Sequence, residues 1–432
     1  GGAGRDLSTA LADAPSFSVG RPGATVELYD GAGNYLRNTM TDTSGFYGFT
    51  GLPDGNFTVR VVNDTVTSSR PGATPGSELP VQTFRTDGTG ATVAAVTDEV
   101  GGANPTVQDD LANGTSANLS TITAQSLAPV TIITGVAKPG VDFGFNFDTV
   151  VNTNDSGQGS LREVIDNSNA LGNANLAQDG RPAGIENVIF MLADGTARPG
   201  LKASYPSQFS GGVATYTPNP APLPTVTDPI VLDASLQPGY AGSPIIEIDG
   251  SSAGNNVAGI HISAGGSTVR GFVIHSFFGA DPLGSGIQLD TAGGNTITAN
   301  WLGTDTTGAA ADPAPNNTQG LLILNSAGNQ VGGTDPADRN VMSGNRLRGM
   351  HLEGTGASGN TIEGNYFGTN ASGTAAVPNP MGIYFRNAPD NTFGGTASGA
   401  GNVVSGNTTY GVYLVFDDTD RNIIKGNTIG LN

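Results

Sequence analysis

The feature that most constrains this 432-residue chain is an internal repeat in its C-terminal half. A short motif recurs there at nearly constant spacing. It consists of an asparagine followed two positions later by an apolar side chain, and its commonest form is N-T-I. The string N-V-M-S-G-N at 340–345 returns as N-V-V-S-G-N at 402–407, two repeats later, which indicates that two kinds of repeat alternate. The repeated asparagines are Asn295, Asn329, Asn360, Asn391 and Asn422.

Each repeat contains short strand patterns and no helical pattern, which argues against leucine-rich and ankyrin arrays. Successive repeats of such a solenoid stack as coils with parallel strand pairing, roughly 4.8 Å apart. Asparagine suits the corner at which a strand begins because it tolerates left-handed backbone geometry. Stacked coil on coil, the repeated asparagines are predicted to form a structural amide ladder rather than a ligand site.

The N-terminal third has a different pattern. Residues 25–29 alternate between outward and inward positions and are followed by a turn cluster at 30–34. Further short strands at 42–49 and 52–62 are separated by Asp, Gly and Asn turns, and 141–147 reads as the last strand. Strands of period two at this turn spacing predict an antiparallel β-sandwich.

The strings V-E-L-Y-D, T-S-G-F-Y-G-F and G-L-P-D-G-N-F-T-V carry a resemblance to the prealbumin-like B-type repeat domains of bacterial surface adhesins. The resemblance implies a sandwich that acts as a stalk or spacer. Family members usually begin with a strand leading into a calcium-binding loop, whereas this sequence opens at Gly1 without one. We therefore expect that the sequence begins inside a larger protein; an atypical domain is the alternative.

Residues 150–165 predict one short amphipathic helix. Ser160 is a good N-cap, and Glu163 three positions later completes the capping-box pattern. The string N-D-S-G-Q-G-S-L-R resembles the lead-in segment of β-helix domains in large bacterial surface proteins, which implies a capping helix. An active-site pair of Arg162 and Glu163 is the disfavoured alternative. The apolar residues on one helical face are Leu161, Val164 and Ile165.

Residues 294–305 and 359–370 resemble the right-handed parallel β-helix repeats shared by pectate-lyase-like proteins and many giant surface proteins. The predicted fold is all-β: a prealbumin-like β-sandwich at 1–148 followed by a right-handed parallel β-helix at 149–432. The lead-in segment and capping helix occupy 149–185, and the coils occupy 185–432. The sequence stops in mid-repeat, so we expect the protein to continue or a neighbouring subunit to cover this end.

Charge and composition narrow the possible partners. The chain has 37 acidic and 18 basic side chains, a net charge of −19, which disfavours nucleic acid, anionic membranes and polyanionic sugars. The absence of cysteine excludes disulfides, thiolate metal sites and a cysteine nucleophile. No apolar stretch reaches the roughly 20 residues of a membrane span, and Gly1–Asp6 lacks the core of a signal peptide.

Polysaccharide cleavage is the alternative that a β-helix raises. Hydrolases need facing carboxylates and lyases need basic residues, often with calcium. Asp290, Glu353 and Arg386 are expected in non-consecutive coils, so an enzyme is disfavoured but remains the alternative. His351, Tyr384 and Tyr413 form a predicted glycan- or partner-binding face, against ordinary strand residues as the simpler interpretation. The predicted outward column is His261, Gln288, Leu322, His351, Tyr384 and Tyr413.

Acid-rich loops raise the question of calcium, which takes carboxylate and carbonyl oxygens as ligands. Solvated turns are the simpler interpretation of these loops. The favoured function is an extracellular structural or adhesive component of a bacterial cell surface, sheath or filament, which associates end to end with itself or with other surface proteins. A non-catalytic glycan-binding module is a further alternative. The candidate calcium ligands are Asp30, Asn34, Asp417, Asp418 and Asp420.

Overall fold

The computed structural model describes residues 19–111, 117–174, 176, 184–313 and 316–430. The expectations made for Gly1–Asp6 and for the last residue of the sequence lie outside these residues. The chain forms two compact units that divide after Gln208. We call them the sandwich unit and the solenoid unit and describe each by itself.

The sandwich unit is built on two antiparallel sheets. One has the order β2-β1-β3-β6 and the other the order β5-β4-β7, with strands numbered along the chain. Side chains from both sheets, including Val26, Val59 and Phe143, pack into one apolar core. The strands are β1 Thr25–Asp30, β2 Tyr35–Met40, β3 Gly55–Val61, β4 Val81–Asp87, β5 Ala94–Val96, β6 Ser126–Ile132 and β7 Phe143–Asn146.

The other face of β1 and β3 buries a charge network. The Arg60 guanidinium donates to Glu27 at 2.9 Å and to Asp109 at 3.0 Å. Glu27 also accepts from the Tyr29 hydroxyl at 2.6 Å. Arg60 and Glu27 have no exposed surface. Because a buried charge is tolerated only when it is paired, each member of this network holds the others in place.

The remainder of the sandwich unit contains a parallel pair, β8 Thr149–Val150 with β10 Ile189–Phe190, the short strand β9 Glu186–Asn187, and the helix α1 Leu161–Ala170. Ser160 accepts from the Glu163 amide at 3.1 Å, so the predicted helix and N-cap are confirmed. The second bond of the predicted capping box, from the Ser160 amide to the Glu163 carboxylate, does not form. The Glu163 carboxylate accepts from the Leu79 amide instead, and the Ser160 amide donates to the Gly157 carbonyl.

The solenoid unit winds through three sheets in which neighbouring strands are parallel. Sheet A contains β11 Ala214–Tyr216, β13 Ile246–Asp249, β16 Phe272–His275, β19 Trp301–Leu302, β22 Val341–Met342, β25 Tyr366–Phe367, β28 Val403–Val404 and β31 Thr428–Ile429. Sheet B contains β12 Ile230–Asp233, β15 Thr268–Arg270, β18 Thr296–Thr298, β21 Gln330–Gly332, β24 Thr361–Glu363, β27 Thr392–Phe393 and β30 Ile423–Ile424. Sheet C contains β14 Ile260–Ile262, β17 Ser285–Asp290, β20 Gln319–Leu324, β23 Arg348–Glu353, β26 Met381–Arg386 and β29 Tyr410–Val415.

Alternate residues of the sheet C strands point into the coil interior at equivalent positions. Ile287, Leu321, Met350 and Ile383 pair in register and are fully buried. The same arrangement in sheets A and B produces a continuous apolar interior along the unit. The predicted all-β fold, a β-sandwich followed by a parallel β-helix, is confirmed.

Candidate functional site

The five repeated asparagines lie in one line at the corner that precedes sheet B. The side-chain amides of Asn295, Asn329 and Asn360 each donate to the amide oxygen of the next asparagine, at 2.9, 2.8 and 2.8 Å. The backbone amide of Asn391 donates to Asn422 at 2.9 Å. These bonds satisfy polar groups that are buried at the turns.

Two further ladders occupy the other corners, and the sequence analysis missed both. Their spacings are 40, 25, 37 and 25 residues in one and 28, 34 and 28 in the other, because longer loops are inserted at alternating corners. The return of 340–345 as 402–407, two repeats later, was the available signal. The second ladder is Asn300, Asn340, Asn365, Asn402 and Asn427, and the third is Asn317, Asn345, Asn379 and Asn407.

The predicted outward column of sheet C does pair in register through six strands. Outward position does not mean exposure, however. Leu322 has no exposed surface and His351 is 1% exposed. A segment of chain therefore lies over the middle of this face. The column runs His261, Gln288, Leu322, His351, Tyr384 and Tyr413.

The structure brings the three residues of the predicted glycan-binding face together. The ring centroids of His351 and Tyr384 are 4.9 Å apart, and those of Tyr384 and Tyr413 are 5.4 Å apart and stacked. The Arg348 guanidinium lies 4.5 Å from the Tyr384 ring centroid. Since Tyr384 has neighbours on both faces, it presents its edge outward and offers no free face for a sugar ring to stack on.

Charged side chains surround this aromatic line. Arg348 makes two bonds to Asp281, at 2.5 and 2.9 Å, and Arg386 bonds Glu353 at 2.6 Å. Glu353 pairs directly with Arg386 in register, so the expectation that these two residues lie in non-consecutive coils is wrong. Burial, assisted by the positive charge of Arg348, lowers the pKa of His351 to about 3, and its imidazole is therefore neutral.

A second polar cluster on sheet A has no counterpart in the sequence analysis. His275 Nε2 lies 2.7 Å from Glu247, its Nδ1 lies 3.0 Å from the Ser276 hydroxyl, and that hydroxyl donates to Asp312 at 3.1 Å. Burial alone would lower the pKa of His275, but the bond to Glu247 and the charge of Asp312 outweigh it and raise the pKa.

The cluster contains the residue types of a hydrolytic triad, in Ser276, His275 and Glu247. Ser276 is only 5% exposed, however, and its proton is already donated to Asp312. Each of the three side chains therefore has its partner within the cluster. Its geometry is that of a bridge between two strands and the loop that contains Asp312.

The candidate calcium loops are separate turns. The Asp30 carboxylate accepts from the Asn34 side chain and backbone at 3.0 and 2.9 Å, and these bonds lower the pKa of Asp30. Asp417 and Asp418 are exposed, and Asp420 pairs with Arg421. Within the described ranges no group of three or more His, Asp or Glu side chains is placed to hold a metal ion.

The fold defines a protein in which an antiparallel β-sandwich is followed by a parallel β-helix. A family model matches a segment of each of these two parts. Residues 12–111 match the SdrD B-like domain, and residues 278–432 match the periplasmic copper-binding protein NosD. The combination that the sequence analysis expected is thereby confirmed. No curated protein matches the chain.

These matches place the chain outside the cytoplasmic membrane, in the extracellular or periplasmic space. In the described part of the chain, no helix has the length and apolar character that a membrane crossing requires. The adhesin-type domain indicates surface partners.

Proposed function

We propose that this protein is a rigid structural or adhesive component of a bacterial surface, with the sandwich unit as spacer and the solenoid unit as rod. The observation that carries the proposal is the presence of asparagine ladders at all three corners of the solenoid. Bending the solenoid would stretch buried amide bonds on at least one side. Buried hydrogen bonds that lose their partners cost roughly 1–3 kcal/mol each, so bending is resisted in the coils that contain the ladders.

End-to-end association is part of the same proposal. Sheets whose strands are all parallel and in register can be extended by further strands of the same kind, which supports stacking of one solenoid on another. Negative-stain electron microscopy beside the mass of the intact polypeptide tests both ideas. Straight rods are expected, joined into filaments if the units stack. Bent or bead-like particles would contradict the rod, and single short rods at all concentrations would contradict stacking.

Copper binding, which the name of the second family mentions, finds no matching residues here. Segment 278–432 contains no cysteine and one histidine, His351. That imidazole is buried with a depressed pKa, and the thioethers of Met342 and Met350 have no exposed surface. The third methionine of the segment, Met381, is half-buried and is a single sulfur ligand. Copper sites need accessible sulfur or imidazole ligands that converge. We therefore assign no copper-dependent role to this chain.

Polysaccharide cleavage would need two carboxylates facing each other across a sugar. On the outward face of sheet C, Asp290 bonds His261 at 2.5 Å and Glu353 bonds Arg386. The two carboxylates lie two coils apart, roughly 10 Å by the strand spacing, and each is already paired. Incubation with a panel of plant and bacterial polysaccharides tests this alternative, and release of reducing ends would support it.

A further inference from the structure

A short segment crosses the outward face of sheet C. We call residues Gly279–Gly284 the strap. Its Asp281 carboxylate makes the two bonds to Arg348, and its Pro282 carbonyl accepts from the Gln319 side chain. At its base, the Gly279 amide donates to Thr318 at 2.8 Å. The strap thus directly precedes β17 in the chain and extends across β20 to β23.

Polar atoms beneath and beside the strap lack hydrogen-bond partners. Both ring nitrogens of His351, the Oε2 atom of Glu353 and the Nε atom of Arg348 are buried and make no hydrogen bond. His351 Nε2 and Glu353 Oε2 lie 3.5 Å apart without forming one. The three side chains belong to one strand, β23. A buried polar atom without a hydrogen bond is costly, so a group of such atoms on one strand indicates a ligand position.

The charge arrangement indicates what the ligand carries. Arg348 presents both terminal nitrogens to the two oxygens of Asp281, and its guanidinium is backed by the Tyr384 ring. A planar guanidinium supported in this way is suited to bind a carboxylate with two parallel bonds. The strap therefore fills a carboxylate position with a side chain of the protein itself.

We propose that the strap is a displaceable cover, and that the Arg348, His351 and Glu353 row beneath it binds a terminal acidic sugar of a glycan. The sugar carboxylate replaces Asp281 on Arg348. The sugar hydroxyls donate to the free oxygen of Glu353 and to His351, and the Nε atom of Arg348 donates to a sugar oxygen. This inference rests on the proposed adhesive function and names its ligand.

Two observations favour an acidic sugar over an acidic peptide or a long polyanion. The free atoms include acceptors on His351 and Glu353 as well as a donor on Arg348, and hydroxyls next to a carboxylate satisfy both kinds. The Asp and Glu side chains of a peptide have no hydroxyl on the carbons next to the carboxylate. The net charge of −19 repels long polyanions, which leaves a single acidic residue at a chain end.

The test is a calorimetric and NMR titration of the full chain with D-glucuronate, D-glucose, acetate and a short acidic peptide as probes. Asp281→Ala removes the competing carboxylate, and we expect it to bind glucuronate at least tenfold more tightly than the unmodified chain. Arg348→Met in the Asp281→Ala background should abolish that binding. Asp390→Ala is the matched control, because Asp390 makes the same two-bond pair with Arg421 elsewhere on the solenoid unit and should leave binding unchanged.

Hydrogen exchange of 279–284 gives an independent readout, since Asp281→Ala should speed exchange there and nowhere else in the solenoid unit. Should Asp281→Ala misfold, Asp281→Asn keeps the volume and serves instead. Equal binding of acetate and glucuronate, equal binding of glucose, or no gain in the folded variants would each overturn the proposal. Preference for an acidic peptide would overturn it as well. Rod-shaped particles with no glucuronate binding would leave the structural function standing and remove only this inference.

Discussion

The sandwich and solenoid units both bury polar groups, but they satisfy them differently. The sandwich unit uses full charges, as where Arg60 joins Glu27 and Asp109. The solenoid unit uses neutral amides repeated from coil to coil after Asn295, as in the contacts of Asn329 with Asn360. A charged network fails when any member is lost, because the others remain buried as charges. A ladder loses one rung and keeps the rest.

The charged network contributes specificity to the fold of the sandwich unit, and the ladders contribute rigidity to the solenoid unit. One charged network can form in only one arrangement, which fixes the pairing of β1 with β3 and with the segment that contains Asp109. Amide ladders are alike from coil to coil, so they allow a unit to grow by repetition. We expect substitutions in the two units to differ accordingly in size and in how far the damage spreads.

The largest effect is expected for Arg60→Met. The change leaves the Glu27 carboxylate buried without its cation, and removing one partner of a buried pair typically costs about 3–5 kcal/mol of unfolding free energy. Calorimetry should show the sandwich transition shifted strongly downward, with hydrogen exchange assigning the loss to β1 and β3.

Arg37→Met is the matched control in the same sheet. Arg37 is an exposed residue of β2 that donates to the Thr50 carbonyl. Its loss should leave the sandwich transition almost unchanged. A similar cost for both arginines would mean that burial of charge does not distinguish the network.

The next largest effect is expected for Asn360→Ala. The change removes the acceptor of the Asn329 amides and the donor to Asn391, all fully buried, at a cost of about 2–3 kcal/mol. Urea unfolding followed by the fluorescence of Trp301, the single tryptophan of the chain, measures the solenoid unit directly.

Asn422→Ala tests whether the ladder acts rung by rung. Asn422 is half-buried and accepts from the Asn391 backbone amide. Its loss should cost about 1 kcal/mol, less than half the effect at Asn360. If Asn360→Ala instead abolishes the whole transition, the ladder is cooperative in the way that the charged network is, and the contrast between the units disappears.

The sequence predicted the regular parts of this molecule and missed the irregular ones. The first ladder could be predicted because its interval is nearly constant from coil to coil, whereas inserted loops disturb the intervals of the other two. The cluster around His275 combines two strands of sheet A with Asp312 from a distant loop, and no local pattern encodes that meeting. The contacts of the strap could not be predicted for the same reason, because nothing in residues 279–284 specifies the β23 side chains that they contact.

The pH dependence of stability should also differ between the two units. Burial, together with the charge of Glu186, raises the pKa of Asp148 to about 8, so the folded sandwich unit retains a proton that the unfolded chain releases near pH 4. Its stability should fall as the pH rises from about 4 to about 8, by up to about 1.4 kcal/mol per pH unit. The raised pKa of His275 gives the solenoid unit a contribution that is complete below about pH 6.5 and is lost as the pH rises through the folded pKa.

Asp148→Asn should flatten the pH dependence of the sandwich transition alone, and His275→Gln that of the solenoid transition alone. Calorimetry between pH 4 and 9 measures both. A change that appears only below pH 5 in His275→Gln would contradict the assigned sign, since the folded pKa would then lie below the unfolded one.

The smallest effect is expected for Arg421→Ala. Arg421 makes two bonds to Asp390 of the neighbouring coil, at 2.7 and 2.8 Å, so its contact geometry is as good as that of Arg60 with its carboxylates. The two pairs differ in exposure, because the Arg421 side chain is 61% exposed and that of Arg60 is fully buried. Exposed pairs contribute little, since water solvates either partner when the other is removed. The solenoid midpoint in urea should therefore stay within error of that of the unmodified chain. A shift comparable to that of Arg60→Met would show that arginine–carboxylate geometry, and not desolvation, sets the cost in both units.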